Sequence, residues 1–248
     1  CAHPDCALMC ARNGLHGGAQ SWFYVSYDRC HSWEGPYSLP DFNNRGVSAR
    51  TDYLVKSADE CTIFVSGAKE NGREGCVFSY RLSDGGAKID FLSAIGDQNP
   101  DGFRIMPASI KLDDNRYITA LRCQGGGDNR TYAWIELHTS DDAGKTWRLL
   151  SKPATDVRGN PPAMIQLQDG RLCLVYGYRH EPYGMRARLS EDEGITWGDE
   201  IILRDDAEIR DLGYPRIMQR PDGTVVVIYY YNDAAQPERY IASTHWKP

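Results

Sequence analysis

Apolar residues in this chain come in short runs broken by polar turns, and no stretch holds a helical period. Leu172–Tyr178 (LCLVYGY) and Val225–Tyr231 (VVVIYYY) are the plainest, each following an Asp-Gly pair at 169–170 and 222–223. Runs of this length bounded by turn residues predict strands joined as hairpins. The pattern also repeats. Asn160–Tyr176 (NPPAMIQLQDGRLCLVY) matches Gly213–Tyr229 (GYPRIMQRPDGTVVVIY) at an offset of 53, and the hairpins at 106–121 and 50–66 lie upstream at intervals of 55.

A second repeat confirms the period. Ser140–Trp147 (SDDAGKTW) and Ser190–Trp197 (SEDEGITW) both fit S-x-D-x-G-x-T-W, Ser26–Trp33 (SYDRCHSW) keeps the Ser, Asp and Trp, and a decayed copy runs from Leu82 to Lys88. The central aspartates at 28, 84, 142 and 192 lie 56, 58 and 50 residues apart. The octamer has a turn's logic: Asp accepts from the turn amides, Gly supplies a positive φ, and Trp packs on neighbouring strands. It is a structural clasp. One Asp-Gly hairpin plus one such Asp box per period makes a four-stranded unit, the blade of a β-propeller.

The predicted fold is therefore all-β, a single propeller domain over 1–248 with blades near 1–40, 41–98, 99–155, 156–207 and 208–248. The last blade ends after its third strand and the chain begins with Cys1 inside a repeat, so part of the N-terminal region is expected to be missing.

Composition agrees with strands and turns: 15 Tyr, 6 Trp, 24 Gly and 13 Pro in 248 residues. A net charge of −6, from 28 basic and 34 acidic residues, argues against a nonspecific hold on nucleic acid. The apolar runs are too short for a membrane-spanning helix. Eight cysteines without a CxxC pair read as mostly buried free thiols, which favours a reducing, cytoplasmic setting and no metal. The tripeptide Asn129-Arg130-Thr131 fits a glycosylation acceptor but is expected to carry no glycan. No cofactor is expected, and nothing sets the oligomeric state.

In a propeller, the segment before strand one and the connection from strand two to strand three open on the same face. The repeat places Arg50, Asp52, Arg104, Asn160, Tyr214 and Arg216 at starts of strand one, and Lys69, Arg122, Arg179 and Asn232 at ends of strand two. That mouth is expected to be basic, which suits an anion.

Here the chain resembles the sialidases, which combine Asp boxes with a Phe-Arg-Ile-Pro motif. Phe103–Pro107 (FRIMP) is similar, with Met106 inserted and the motif in a middle blade. The resemblance implies a six-bladed plan, and the runs at 50–53, 159–163, 176–179 and 213–216 look like a bacterial sialidase-like subgroup. It implies an exo-acting glycosidase on a terminal carboxylate-bearing sugar such as sialic acid. Tyr214 would be the nucleophile and Asp52 the general acid, with Arg50, Arg104, Arg122, Arg179, Asn160 and Arg216 binding substrate. The position of the family's glutamate partner reads Pro161, and Asp211 or Glu208 would substitute. Two other readings stand beside this one: a non-catalytic glycan-binding propeller, and a uronate-directed hydrolase or lyase using His3 or His180.

Overall fold

The computed structural model describes residues 4–43, 45–125, 132–155 and 161–248. Asn160, His3 and the tripeptide at 129–131 lie outside them. The described residues form eighteen strands and one short 3-10 turn. The first sheet holds β1 (Ala7–Arg12), β2 (Ser21–Ser26) and β3 (Glu34–Leu39), and the second β4 (Val47–Val55), β5 (Cys61–Ala68), β6 (Glu74–Ser83) and β7 (Lys88–Ile95). The third comprises β8 (Phe103–Lys111), β9 (Tyr117–Gly125), β10 (Tyr132–Ser140) and β11 (Arg148–Thr155). The fourth has β12 (Pro162–Gln166), β13 (Leu172–Tyr178), β14 (Gly184–Ser190) and β15 (Ile201–Arg204), and the fifth β16 (Gly213–Gln219), β17 (Val225–Asp233) and β18 (Gln236–Trp246). In every sheet neighbours in sequence are neighbours in space, the up-and-down order of propeller blades. The sixth blade of the family plan has no counterpart among the described residues.

Contacts divide the chain into two compact units, Cys1–Ile118 with Thr139–Arg148, and Thr119–His138 with Leu149–Pro248. In the first, Leu8, Phe23 and Val25 pack with Ile63, Val65, Phe78 and Tyr80, the inward faces of the first two sheets. In the second, Cys173, Val175, Met185 and Ala187 meet Val225, Val227, Tyr229 and Tyr231. β17 shows how pattern becomes structure: Val225, Val227, Tyr229 and Tyr231 are buried, while Ile228 is 46% exposed on the opposite face.

The Asp boxes fold as clasps. Asp142 Oδ1 accepts from the Thr146 amide at 2.8 Å and Oδ2 from the Thr146 hydroxyl at 2.6 Å, and Ser140 Oγ takes the Gly144 amide at 2.8 Å. Asp192 repeats these bonds with Thr196. In the variant box, Ser32 replaces Thr, and Cys30 takes the glycine's place at φ 70°. Hydrogen bonds from the Ser32 hydroxyl and amide hold the Asp28 carboxyl down at about 2. The indoles of Trp147 and Trp197 donate to Ser93 Oγ (3.0 Å) and Ser151 Oγ (3.3 Å) on the fourth strands of the preceding sheets. The decayed copy forms only the 3-10 turn Asp84–Gly86.

All seven described cysteines are free: Cys61, Cys76, Cys123 and Cys173 are buried, Cys6 and Cys10 half-buried, and Cys30 exposed. Burial pushes the Cys61 thiol up to about 11 and those of Cys76 and Cys173 to about 12, as expected of packed, unreactive thiols.

Candidate functional site

Within the second unit, the chemistry gathers at the end of the fifth sheet opposite its Asp-Gly turn. Three tyrosines follow one another on β17. Because side chains alternate, Tyr229 and Tyr231 enter the core and Tyr230 emerges half-buried on the other face. Its hydroxyl donates to Asp211 Oδ1 at 2.8 Å and accepts from Arg179 Nη2 at 3.0 Å. Arg239, on β18, donates Nε to Asp211 Oδ2 at 2.9 Å, with Nη2 2.8 Å from the same oxygen. Arg179 also caps the Leu212 carbonyl at 2.9 Å and lies 3.9 Å from the Asp211 carboxylate. A tyrosine is thus held between a carboxylate and a guanidinium.

The electrostatics follow from those contacts. Burial, then the bond to Asp211, pushes the Tyr230 phenol up to about 12. The Tyr230 hydroxyl, with Arg239 and Arg179, holds the Asp211 carboxyl below the usual carboxylate range. Asp211 is therefore an ionised acceptor, and Tyr230 a phenol that keeps its proton at neutral pH but has a base in contact with it.

Tyr214 stands beside this pair. Its ring centroid is 5.7 Å from that of Tyr230, the planes tilted by 39°, and the residue is 44% exposed. The backbone there is unusual: Gly213 has φ 113° and Tyr214 φ 55°, at a bulge between Gly213 and Arg216. A non-glycine residue in the left-handed region, placed before proline, is strained. No carboxylate among the described residues bonds the Tyr214 hydroxyl; the base expected for it is on Tyr230. Arg216 is exposed on the Tyr230 face, opposite Ile228.

The remaining expected residues are dispersed. Arg122 is half-buried on β9 in the second unit. Arg50, Asp52 and Arg104 belong to the first unit. Arg50 does not bond Asp52, although the two are neighbours in sequence. Its Nη1 and Nη2 meet the Glu74 carboxylate at 2.6 and 3.4 Å, and Nη1 also meets Ser66 Oγ at 3.2 Å. Asp52 instead accepts from the Ser109 amide (3.1 Å) and hydroxyl (2.8 Å). The cause is an irregularity of β4 between Ala49 and Tyr53, which sends the two side chains to different partners. Arg104 lies 4.0 Å from Asp97, and the inserted Met106 takes φ 54°, with its amide on Ser66 Oγ. Lys69 departs from its expected place at the mouth: its buried ammonium caps the carbonyls of Pro100 (2.8 Å) and Gly102 (2.6 Å). His180 lies beside the Tyr178 ring at 5.7 Å.

Tyr230 and Arg239 are the residues that sequence reasoning passed over. Alternation along β17 carried the signal for Tyr230; Arg239, on a polar strand after the last match, carried none. Among the described residues, no group of three His, Cys, Asp or Glu could hold a metal ion.

Several solved structures share this architecture. A protein of unknown function from Dyadobacter fermentans aligns over 98% of this chain and 73% of its own, with 23% identity and a TM-score of 0.80. The NanB sialidase of Streptococcus pneumoniae aligns over 92% of this chain and 36% of its own (18% identity, TM-score 0.65). For an α-L-arabinofuranosidase of Fusarium graminearum the shares are 78% and 60% (14%, TM-score 0.57). This chain thus spans less than two thirds of both enzymes. At these identities the likeness shows the fold, a sialidase-like β-propeller. No curated protein matches the sequence. The family model described as the BNR repeat-like domain matches residues 13–227, nearly the whole run of blades, and the chain belongs to that family.

Proposed function

We propose that this chain is an exo-acting glycoside hydrolase that removes a terminal carboxylate-bearing sugar, sialic acid being the type, with Tyr230 as nucleophile and Asp211 as its base. One observation carries the reading: the Tyr230 hydroxyl lies 2.8 Å from Asp211 and 3.0 Å from Arg179. A phenol raised to about 12 is a poor nucleophile alone, and a carboxylate in contact with it removes its proton as it attacks. In the first step Tyr230 Oη bonds the anomeric carbon as the glycosidic C–O bond breaks, the phenol proton passes to Asp211, and the leaving oxygen takes a proton from solvent water. Water then attacks the anomeric carbon and releases a proton to solvent as the C–Oη bond breaks, and Asp211 returns its proton to the departing phenolate.

The preference for an acidic sugar rests on charge. Arg179 and Arg239 both meet the Asp211 carboxylate beside Tyr230, two guanidiniums to one carboxylate, a balance suited to a substrate carboxylate. Tyr214 adds an exposed ring beside the reacting phenol, a platform for a sugar face. Kinship of fold with a sialidase and an α-L-arabinofuranosidase supports glycosidase chemistry and leaves open which sugar is taken.

The test is turnover of 4-methylumbelliferyl glycosides of N-acetylneuraminic acid, glucuronic acid and arabinofuranose. The sialoside is expected to be cleaved, with loss of roughly a thousandfold or more in kcat on Tyr230→Phe and on Asp211→Asn. Cleavage untouched by Tyr230→Phe overturns the mechanism. Turnover of the arabinofuranoside alone overturns the acidic-sugar reading, and sialoside binding without turnover by any variant makes the chain a lectin-like module.

A further inference from the structure

We infer that Asn232 is a positioning residue: it clamps the backbone of residues 209–211 so that the Asp211 carboxylate meets the Tyr230 hydroxyl. This rests on the reading of Tyr230 and Asp211 given above.

Asn232 is fully buried, and its amide is used at both ends. Oδ1 accepts from the Ile209 amide at 2.9 Å, while Nδ2 donates to the Ile209 carbonyl at 3.2 Å and the Asp211 carbonyl at 2.9 Å. Burying a primary amide is unfavourable unless its hydrogen bonds are made, so a strand position that needed only packing would suit an apolar side chain. Here all three bonds go to one stretch of chain. That stretch belongs to the 205–212 connection between β15 and β16, which has no strand of its own to fix it.

The surrounding contacts show what the clamp serves. Three consecutive residues of β17 bond this connection: Tyr230 to Asp211, Tyr231 to Asp206 at 3.0 Å, and Asn232 to Ile209 and Asp211. Arg204 pins Asp206 from the other side at 2.7 and 2.8 Å. The strand that presents the phenol thus also shapes the loop that presents its base. Asn232 lies two residues beyond Tyr230, about 7 Å along an extended strand. A shift of an ångström in the 209–211 backbone moves the carboxylate out of hydrogen-bond range.

The experiment uses the 248-residue chain with Asn232→Ala and Asn232→Asp. Two measurements need no substrate: the carboxyl-carbon NMR titration of Asp211, assigned by its loss in Asp211→Asn, and hydrogen exchange of the Ile209 amide. Asp211 is faced by Tyr230, Arg239 and Arg179, and loosening it from them in Asn232→Ala should raise its midpoint by about half a pH unit or more. Ile209 exchange should accelerate roughly tenfold or more. On the sialoside, kcat should fall about 10- to 100-fold with KM within about twofold. Asn232→Asp keeps the acceptor for the Ile209 amide and loses both donated bonds, so it should protect Ile209 yet share the fall in kcat. It also carries the test if Asn232→Ala does not fold. An unmoved Asp211 midpoint with unchanged kcat overturns the inference. If Tyr230→Phe and Asp211→Asn both keep activity, the catalytic reading fails instead, and the midpoint and exchange still decide what Asn232 holds.

Discussion

The Arg50–Glu74 pair allows a sharp energetic test. Its side chains are 13% and 7% exposed, and the bonds at 2.6, 3.4 and 3.2 Å leave the guanidinium served by Glu74 and Ser66 alone. Breaking a buried pair by removing one partner costs about 3–5 kcal/mol, because the survivor is left charged away from water. In Glu74→Gln the amide oxygen still accepts one bond and Arg50 keeps some solvent, so the cost falls at or just below the lower end of that range, about 2–3 kcal/mol. For a chain of this size that is a fall in Tm of roughly 4–12 °C, read by scanning calorimetry. The double variant Arg50→Met/Glu74→Leu removes both charges and fills similar volume, and should return to within about 1–2 kcal/mol of the parent. A Glu74→Gln protein melting within about 1 °C of the parent would show that the pair is not desolvated, and the reasoning would fail. The double variant also bears on substrate binding: if it is folded and its KM for the sialoside is unchanged, Arg50 serves the fold rather than the sugar.

The two boxes with complete clasps should differ from the variant one. Trp197→Ala removes a half-buried indole bonded to Ser151 and Gly194 and should cost about 2–4 kcal/mol, whereas Trp33→Ala, at a residue 36% exposed, should cost under about 1 kcal/mol; urea unfolding compares them. The pH dependence of kcat/KM follows from Asp211 and Tyr230. Asp211 is held low, so its acid limb should fall below the usual carboxylate range, and the stability it contributes should be present above the unfolded value near 4 and lost as pH falls through the folded one. Tyr230, raised to about 12, should impose no basic limb below about pH 10. Arg239→Ala should move the acid limb upward, and an unmoved limb would take Asp211 out of the rate equation.

The sequence by itself determined the repeat, and with it the fold class. Asp boxes and Asp-Gly turns act through bonds within a few residues of one another, as Asp142 does with Thr146, so their meaning survives without a tertiary frame. Alternation in Val225–Tyr231 likewise marks which tyrosines are core, and so held the clue to Tyr230. Partners distant in sequence were decided only by tertiary structure. Arg50 and Asp52 look like a charged pair until a bulge in β4 turns Arg50 to Glu74 and Asp52 to Ser109. Lys69 looks like a cation at an opening until Pro100 and Gly102 bring their carbonyls to it. Tyr214 is the nucleophile expected by family pattern, and only the fold shows that Asp211, on a loop bonded by Asn232, meets Tyr230. Charge is a local property of a residue; which countercharge it meets depends on where the rest of the chain has been folded to lie.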